Sequence, residues 1–293
     1  MTKYHLFQWA FRWLPRLPRP LLLGIAVVVG NILWVVVAPM RTRVRQHLAH
    51  VPTLAANPKR LQRAVRQSFV QLILNYVDLF SPAPFSNEES ATNRFTILSG
   101  MDTLQSLRGS GRGTIFVSLH CSAFEAAKYR IRQIYGDEII TPVETITPPE
   151  LFELVTAERE RCGFRFLPVA KSETLRTMIT TLRAGKAILL TADRDVLGNG
   201  VVMPLFGTPA RLPVGIISLV RLTGAAVIWI SADRVGLDHF NGTVAEIPLQ
   251  VTASTRGEEQ VTAAFQPLVR ILEKAAASYP EQWVASFAND VWI

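Results

Sequence analysis

Gly113-Thr-Ile-Phe-Val-Ser-Leu-His-Cys-Ser-Ala-Phe-Glu125 is the stretch on which the reading of this chain turns. Its first half, through Leu119, is apolar, β-rich and bounded by glycine. Such a run reads as a core strand. His120 closes the strand and Glu125 follows five residues later. Ser122 is placed to cap a following helix, with Glu125 at the third helical position as in a capping box. A histidine at that point sits at the open edge of a sheet, where α/β proteins place ligands. An imidazole and a carboxylate this close in sequence can form a general base with its orienting acid. A core histidine beside a capping glutamate is the competing reading, and spacing alone does not choose between them.

Outward from this strand the pattern alternates. Further strands are expected near 139–143, 187–192 and 225–231. Helices are expected near 123–134, 149–162, 172–184, 213–222 and 258–278. Upstream, Lys59 to Phe80 places Leu61, Val65, Phe69, Leu72 and Leu74 on one helical face. Ser86 to Asn93 is polar and loop-like, and Gly198-Asn-Gly200 is a turn candidate. Strands alternating with helices predict an α/β fold, a central mixed sheet flanked by helices.

The N-terminus departs from this pattern. Leu21 to Ala38 is almost wholly apolar, with Asn31 its one strongly polar member. As a helix it spans about 27 Å, just short of a ~30 Å hydrocarbon core. Arg12, Arg16 and Arg19 precede it; Arg41, Arg43 and Arg45 follow. With basic flanks on both sides, the positive-inside rule does not set an orientation. Three readings stay open: a spanning helix, a helix embedded in one leaflet, and a helix packed on the domain. The expected division is a membrane-associating segment, 1–45, and an α/β domain, 46–293. Aromatics among basic residues at Tyr4, Phe7, Trp9, Phe11 and Trp13 suit an interfacial helix.

Composition narrows the function classes. The 293 residues are 49% hydrophobic, only 18% charged, and carry a net charge of +8. Basic proteins commonly meet nucleic acid or anionic lipid. No nucleic-acid-binding motif is visible, the basic residues are spread, and the hydrophobicity favours lipid. Cys121 and Cys162 show no metal-ligand spacing and no disulfide framework. No dinucleotide fingerprint, P-loop or Gly-x-Ser-x-Gly elbow is present. Cys121 follows His120 directly, so it should face the opposite side of the strand. Asp193, Arg194 and Asp195 follow the expected strand Lys186–Thr191 and can reach the same sheet edge as His120. Asp193 is then a second possible partner for His120. Arg194 can meet a phosphate or a polarised carbonyl, or the trio can form a salt-bridged turn. Arg159 suits a solvated helix face as well as a substrate phosphate.

Several segments line up in order with one family. The chain resembles the bacterial lipid A biosynthesis (lauroyl/myristoyl) acyltransferases, of the lysophospholipid acyltransferase-like superfamily. Within them it looks closer to the phosphatidylinositol mannoside acyltransferases. Gly111-Arg-Gly113 through His120 and Glu125 is similar to the strand that ends in their His-x-x-x-x-Asp/Glu signature. Val143 to Leu151, Arg159 with Gly163, and Leu182-Arg-Ala-Gly-Lys186 continue the likeness. So do Ala192-Asp-Arg-Asp195, Phe206-Gly-Thr-Pro-Ala210, Leu212-Pro-Val-Gly215, Thr223-Gly-Ala225 and the closing Tyr279-Pro-Glu-Gln-Trp283. Ser-Ala-Phe stands where the family often has Gly-Asn-Trp before its acid, and Val284 to Asp290 stands where many members carry basic residues.

The resemblance implies a membrane-associated O-acyltransferase. The fatty acyl group would pass from acyl-CoA or acyl-carrier protein, as co-substrate and with no cofactor, to a hydroxyl of a glycolipid or lysophospholipid. His120 would be the general base of a direct attack, without an acyl-enzyme. Glu125 or Asp193 would hold the imidazole, and Arg194, Asp195 and Arg159 would bind substrate. The setting would be the inner (cytoplasmic) membrane, with a cytoplasm-facing site. A hydrolase using the same histidine and a non-catalytic lipid-binding protein remain the alternatives. Val201 to Phe206 and Val214 to Val220 can line an acyl tunnel or pack in the core.

Overall fold

The computed structural model describes residues 2–82, 85, 88–136, 139–160, 163–288 and 291–293. Cys162 and Asp290 lie outside the described residues. The helices are α1 (Lys3–Trp13), α2 (Arg19–Val36), α3 (Ala38–Leu48), α4 (Pro52–Ala55), α5 (Pro58–Phe80), α6 (Glu88–Arg94), α7 (Met101–Ser110), α8 (Phe124–Tyr135), α9 (Pro149–Glu160), α10 (Ser172–Arg183), α11 (Gly215–Thr223) and α12 (Glu258–Ser278). The strands are β1 (Phe95–Ser99), β2 (Thr114–Ser118), β3 (Ile139–Val143), β4 (Phe164–Pro168), β5 (Ala187–Thr191), β6 (Val201–Leu205), β7 (Thr208–Leu212), β8 (Ala226–Arg234) and β9 (Phe240–Glu246). Residues 88–94, expected as loop, are helical. The expected division at residue 45 falls inside α3.

Seven strands form one mixed sheet in the order β1-β9-β8-β2-β5-β3-β4. Every pairing is parallel except β8 with β9. β2 lies between β5 and β8, and all five of its residues are buried. Alternation along each strand sends side chains to two cores. Ile115, Val117, Ile188, Val227 and Trp229 join Phe69, Ile217, Phe265 and Leu268 on one face. Phe116, Leu189 and Ile228 join Leu104, Ile131, Tyr135 and Phe164 on the other. The expected α/β architecture, a sheet covered by helices on both faces, is the one observed.

β6 and β7 form a separate antiparallel hairpin. Its turn is Phe206-Gly207, both at positive φ, while the expected Gly198–Gly200 belongs to the turn that leads into β6. Two left-handed central residues match the twist of a two-residue hairpin. The tunnel candidates Met203, Leu205, Ile216, Ile217 and Leu219 are buried in the larger core.

α2 docks on α5 through Leu22, Leu23, Ala26 and Gly30, against Leu74, Val77 and Val70. The helices approach closely at Gly30, where a Cβ would stand 2.6 Å from Val70 Cα. Asn31 is satisfied on this side: its Nδ2 donates to Val27 O at 2.7 Å, and its Oδ1 accepts from Arg66 Nε at 2.6 Å. Arg19 fastens the N-terminal end, donating to Asp78 and Asp238 at 2.6 Å each. Asp78 also accepts from the buried Arg234 of β8. The outer face of α2 is uncovered. Leu21, Ile25, Val28, Ile32, Val35 and Val36 are 42–64% exposed and follow one another at helical spacing.

Candidate active site

Two parallel neighbours end side by side. β2 and β5 are in register with Ser118 opposite Thr191, and Ala192 N donates to Ser118 O just past the strand ends. Two residues further on from each end stand His120 and Asp193. The backbone N of His120 donates to both Asp193 oxygens, at 3.1 and 3.0 Å. Its Nδ1 lies 2.8 Å from Asp193 Oδ1. The Trp283 indole donates to Asp193 Oδ2 at 2.7 Å. Asp193 is 1% exposed, whereas the His120 side chain is one-third exposed.

Burial alone would push the Asp193 carboxyl up. The facing His120 and the hydrogen bonds from His120 and Trp283 outweigh it and hold the carboxyl below its usual value. An ionised Asp193 accepts at Nδ1, so the neutral imidazole carries its proton there. Nε2 is then the acceptor, and the Thr191 hydroxyl, 3.2 Å away, donates to it.

Glu125 serves elsewhere. The residue that begins α8 is Phe124, with Ala123 in the capping position and no side-chain cap. Ser122 instead donates through Oγ to Gln71 at 2.8 Å. Glu125 is turned into the core, 2.6 Å from Lys128 Nζ and 2.5 Å from Arg159 Nη2. Burial opposes its ionisation, but Arg159 and Lys128 prevail and hold the carboxyl at about 2. Lys128 is 2% exposed, with its ammonium over the rings of Phe124, Phe164 and Phe166. The expectation that Glu125 orients His120 therefore gives way to Asp193: the cations of α8 and α9 take up the glutamate.

The three residues expected to bind substrate have protein partners. Arg159 bonds Glu125. Arg194 pairs with Glu144 at 2.8 Å. Asp195 is buried and accepts from Gly200 N at 2.6 Å, holding the turn that leads to β6. Gly200 is needed there, because a Cβ would meet Leu212 O at 2.3 Å.

The C-terminal strap clamps the site; in the sequence it stands out as a motif without a role. Ser122 N donates to Gln282 O at 2.9 Å and Val284 N to His120 O at 2.8 Å. Gln282 exchanges side-chain hydrogen bonds with both backbone groups of Arg234. α3 adds His47, whose ring meets Trp283 edge-on at 4.3 Å and accepts from Trp292 Nε1 at 3.0 Å. Burial pushes His47 down to about 3, so it stands neutral beside the dyad. Cys121 turns to the opposite side, into the larger core. There burial pushes its thiol up to about 12, which removes the thiolate a covalent mechanism needs. Among the described residues, no group of three potential metal ligands gathers.

Residues 2–285 match the family described as bacterial lipid A biosynthesis acyltransferase. The chain is also similar to a phosphatidylinositol mannoside acyltransferase of Mycobacterium tuberculosis: 27% identity over 219 residues, covering 70% of this chain and 68% of that one. A protein of the same name from Mycolicibacterium smegmatis is 29% identical over 189 residues, 62% of this chain and 58% of that one.

Proposed function

The chain belongs to the bacterial lipid A biosynthesis acyltransferase family and is an acyltransferase; from that premise we propose that His120, oriented by Asp193, is the base that moves a fatty acyl group from a thioester to a lipid hydroxyl. The carrying observation is the pair of strand ends, which leaves Nε2 of a fixed, partly exposed imidazole free to accept a proton. The acceptor hydroxyl displaces the Thr191 hydroxyl at Nε2 and gives its proton to His120. Its oxygen bonds to the thioester carbonyl carbon, and the tetrahedral intermediate expels the thiolate as the C–S bond breaks. The imidazolium returns the proton to sulfur, leaving an ester and a free thiol. The ionised Asp193 stabilises the imidazolium between these steps. A thioester is electrophilic enough for this direct attack. The buried thiol of Cys121 and the missing serine elbow argue against a covalent route.

The donor in this reading is acyl-CoA or acyl-carrier protein. The acceptor is a glycolipid, and the names of the relatives point to a mannosylated phosphoinositide. The inner face of α2 is taken up by α5, so the helix lies along the domain rather than standing free. Its exposed stripe suits burial in one leaflet of the inner membrane. A water-soluble thioester then reaches the site from the cytoplasm. Arg194 and Arg159, already paired, act through the shape of the site rather than as free anion receptors.

Purified protein given labelled acyl-CoA should form acylated lipid and free thiol only when a phosphatidylinositol mannoside is supplied. His120→Ala should lower that rate by about 10² to 10⁴ with the fold intact. Label released as free fatty acid without acceptor marks a hydrolase. A His120→Ala rate within a few-fold of wild type removes the base from His120.

A further inference from the structure

A cleft of about 540 Å³ opens where the C-terminal end of α2 meets α3 and α5, walled by Trp34, Val35, Arg41, Thr42, Arg45 and Gln62. Its only charged groups are two guanidinium ions, and a third, that of Arg66, lies against the same Trp34 ring at 5.7 Å. Arg41 spends one nitrogen on the end of α2, donating from Nη1 to the carbonyls of Trp34 and Val35. Its remaining donors make no hydrogen bond among the described residues. The Arg45 guanidinium has no hydrogen bond or ion pair among the described residues, and neither arginine has an acidic partner there.

Capping α2 accounts for one nitrogen of Arg41 and for nothing of the Arg45 guanidinium. Arg41 and Arg45 are four apart on α3, where like charges repel. Arg41 also lies in the first helical turn, the end of the dipole that disfavours a cation. A bound anion relieves both. Guanidinium ions with a neighbouring threonine hydroxyl, glutamine amide and tryptophan suit a phosphodiester.

Position identifies the carrier of that phosphodiester. Val35 belongs both to the cleft wall and to the exposed stripe of Leu21, Ile25, Val28, Ile32 and Val36. A ligand whose phosphate rests on Arg41 and Arg45 therefore meets a strongly apolar surface at once. Inorganic phosphate has no use for that surface, whereas an acyl chain does. We propose that this cleft is a binding site for the headgroup phosphate of an anionic membrane phospholipid, with an acyl chain against the Val35 end of the α2 stripe. None of the residues of the proposed reaction lines this cleft. It fixes how deep and at what angle the protein sits, and so where the active-site mouth meets the bilayer. It rests on the proposed seating of α2 in one leaflet.

Flotation of the full chain with vesicles of phosphatidylcholine, alone or mixed with phosphatidylglycerol, tests the proposal. The assay belongs at about 0.5 M salt, where diffuse surface attraction is largely screened. Wild-type protein should bind both vesicles and bind the mixed ones about tenfold better or more. Arg41→Gln with Arg45→Gln should erase that gain and keep binding to neutral vesicles. Arg12→Gln with Arg16→Gln removes the same charge near Trp13, outside the cleft, and should change the gain by less than about twofold. Because Arg41 caps α2, Arg45→Gln alone is the second variant: it breaks no bond and should still remove most of the gain. Inorganic phosphate equal in concentration to the lipid phosphate should leave binding unchanged.

Equal losses from the two pairs, or no gain from phosphatidylglycerol in wild type, would overturn the headgroup site while neutral-vesicle binding upholds the seating. Competition by inorganic phosphate would make this a free-phosphate site and overturn the lipid. Failure to bind either vesicle would overturn the seating and the headgroup site together.

Discussion

Glu125 lies five residues from His120 in the chain and Asp193 lies 73 away, yet Asp193 is the acid bonded to the imidazole. Both carboxylates are about 1% exposed, and both are held in the ionised form. They differ in what compensates them. Glu125 sits between two basic side chains on helices, Lys128 and Arg159. Asp193 faces an imidazole, a backbone amide and an indole, all aimed by strand ends and the C-terminal strap. The first arrangement holds elements together. The second holds one side chain in one tautomer, with its other nitrogen left as an acceptor that Thr191 alone occupies among the described residues. A parallel sheet makes distant strand ends neighbours, so nearness along the chain is the weaker guide to a catalytic partner.

The contrast breaks most visibly at Glu125. Glu125→Gln strands a buried ammonium and weakens its hold on Arg159, and loss of one partner in such a pair costs about 3–5 kcal/mol. The thermal midpoint should fall by on the order of 10 °C. The fraction that stays folded should keep kcat within a few-fold. A collapse of kcat at an unchanged midpoint would make Glu125 part of the chemistry.

Trp283→Phe sharpens the other side. It keeps an aromatic ring against His47 and deletes only the indole donor to Asp193. A hydrogen bond to a charged group is worth about 1.5–3 kcal/mol, so kcat should fall roughly tenfold or more. KM should stay within about twofold if Trp283 acts only through Asp193. An unchanged kcat, or a loss confined to KM, contradicts that role.

Acid stability tests His47 separately from turnover. His47 titrates near 6.5 when unfolded but only at about 3 when folded, because burial excludes its charged form. The unfolded chain then binds more protons than the native one between those values, so stability is lost as pH falls from 6.5 towards 3. His50, lowered by burial as well, adds a smaller part. Glu125, held at about 2 against an ordinary 4.5, adds its loss only below about 4.5. Urea unfolding of His47→Gln should therefore show a flatter slope from pH 6.5 down to about 3 than wild type, with the difference gone below that. Identical slopes would place the His47 proton elsewhere.

Much of this fold is legible in the sequence, and the reason is burial. β2, β3, β5 and β8 lie inside the sheet, so each reads as an apolar run. β1 and β4 are its edges, and along β1 only Phe95 is buried, so no such run forms. β6 and β7 pair a proline with a proline, Pro204 with Pro209, which hides a hairpin behind residues that usually end strands. His120 is legible because it closes an unmistakable strand. The Asp193 partnership is legible only as a possibility. Ser118-Leu-His120 and Thr191-Ala-Asp193 end two strands at equal offsets, but that signal needs the β2–β5 register before it can be used. Trp283 and His47 carry no such signal, since they reach the site from the chain terminus and from α3.

In the proposed reaction Asp193, and not Glu125, makes His120 a base. The most direct test is kcat per folded molecule for Asp193→Asn beside Glu125→Gln, with thermal midpoints taken on the same samples. Asp193→Asn should lose about 10² to 10⁴ in kcat, at a midpoint closer to wild type than that of Glu125→Gln. Near-wild-type turnover by Asp193→Asn, with the loss appearing in folded Glu125→Gln instead, would contradict it.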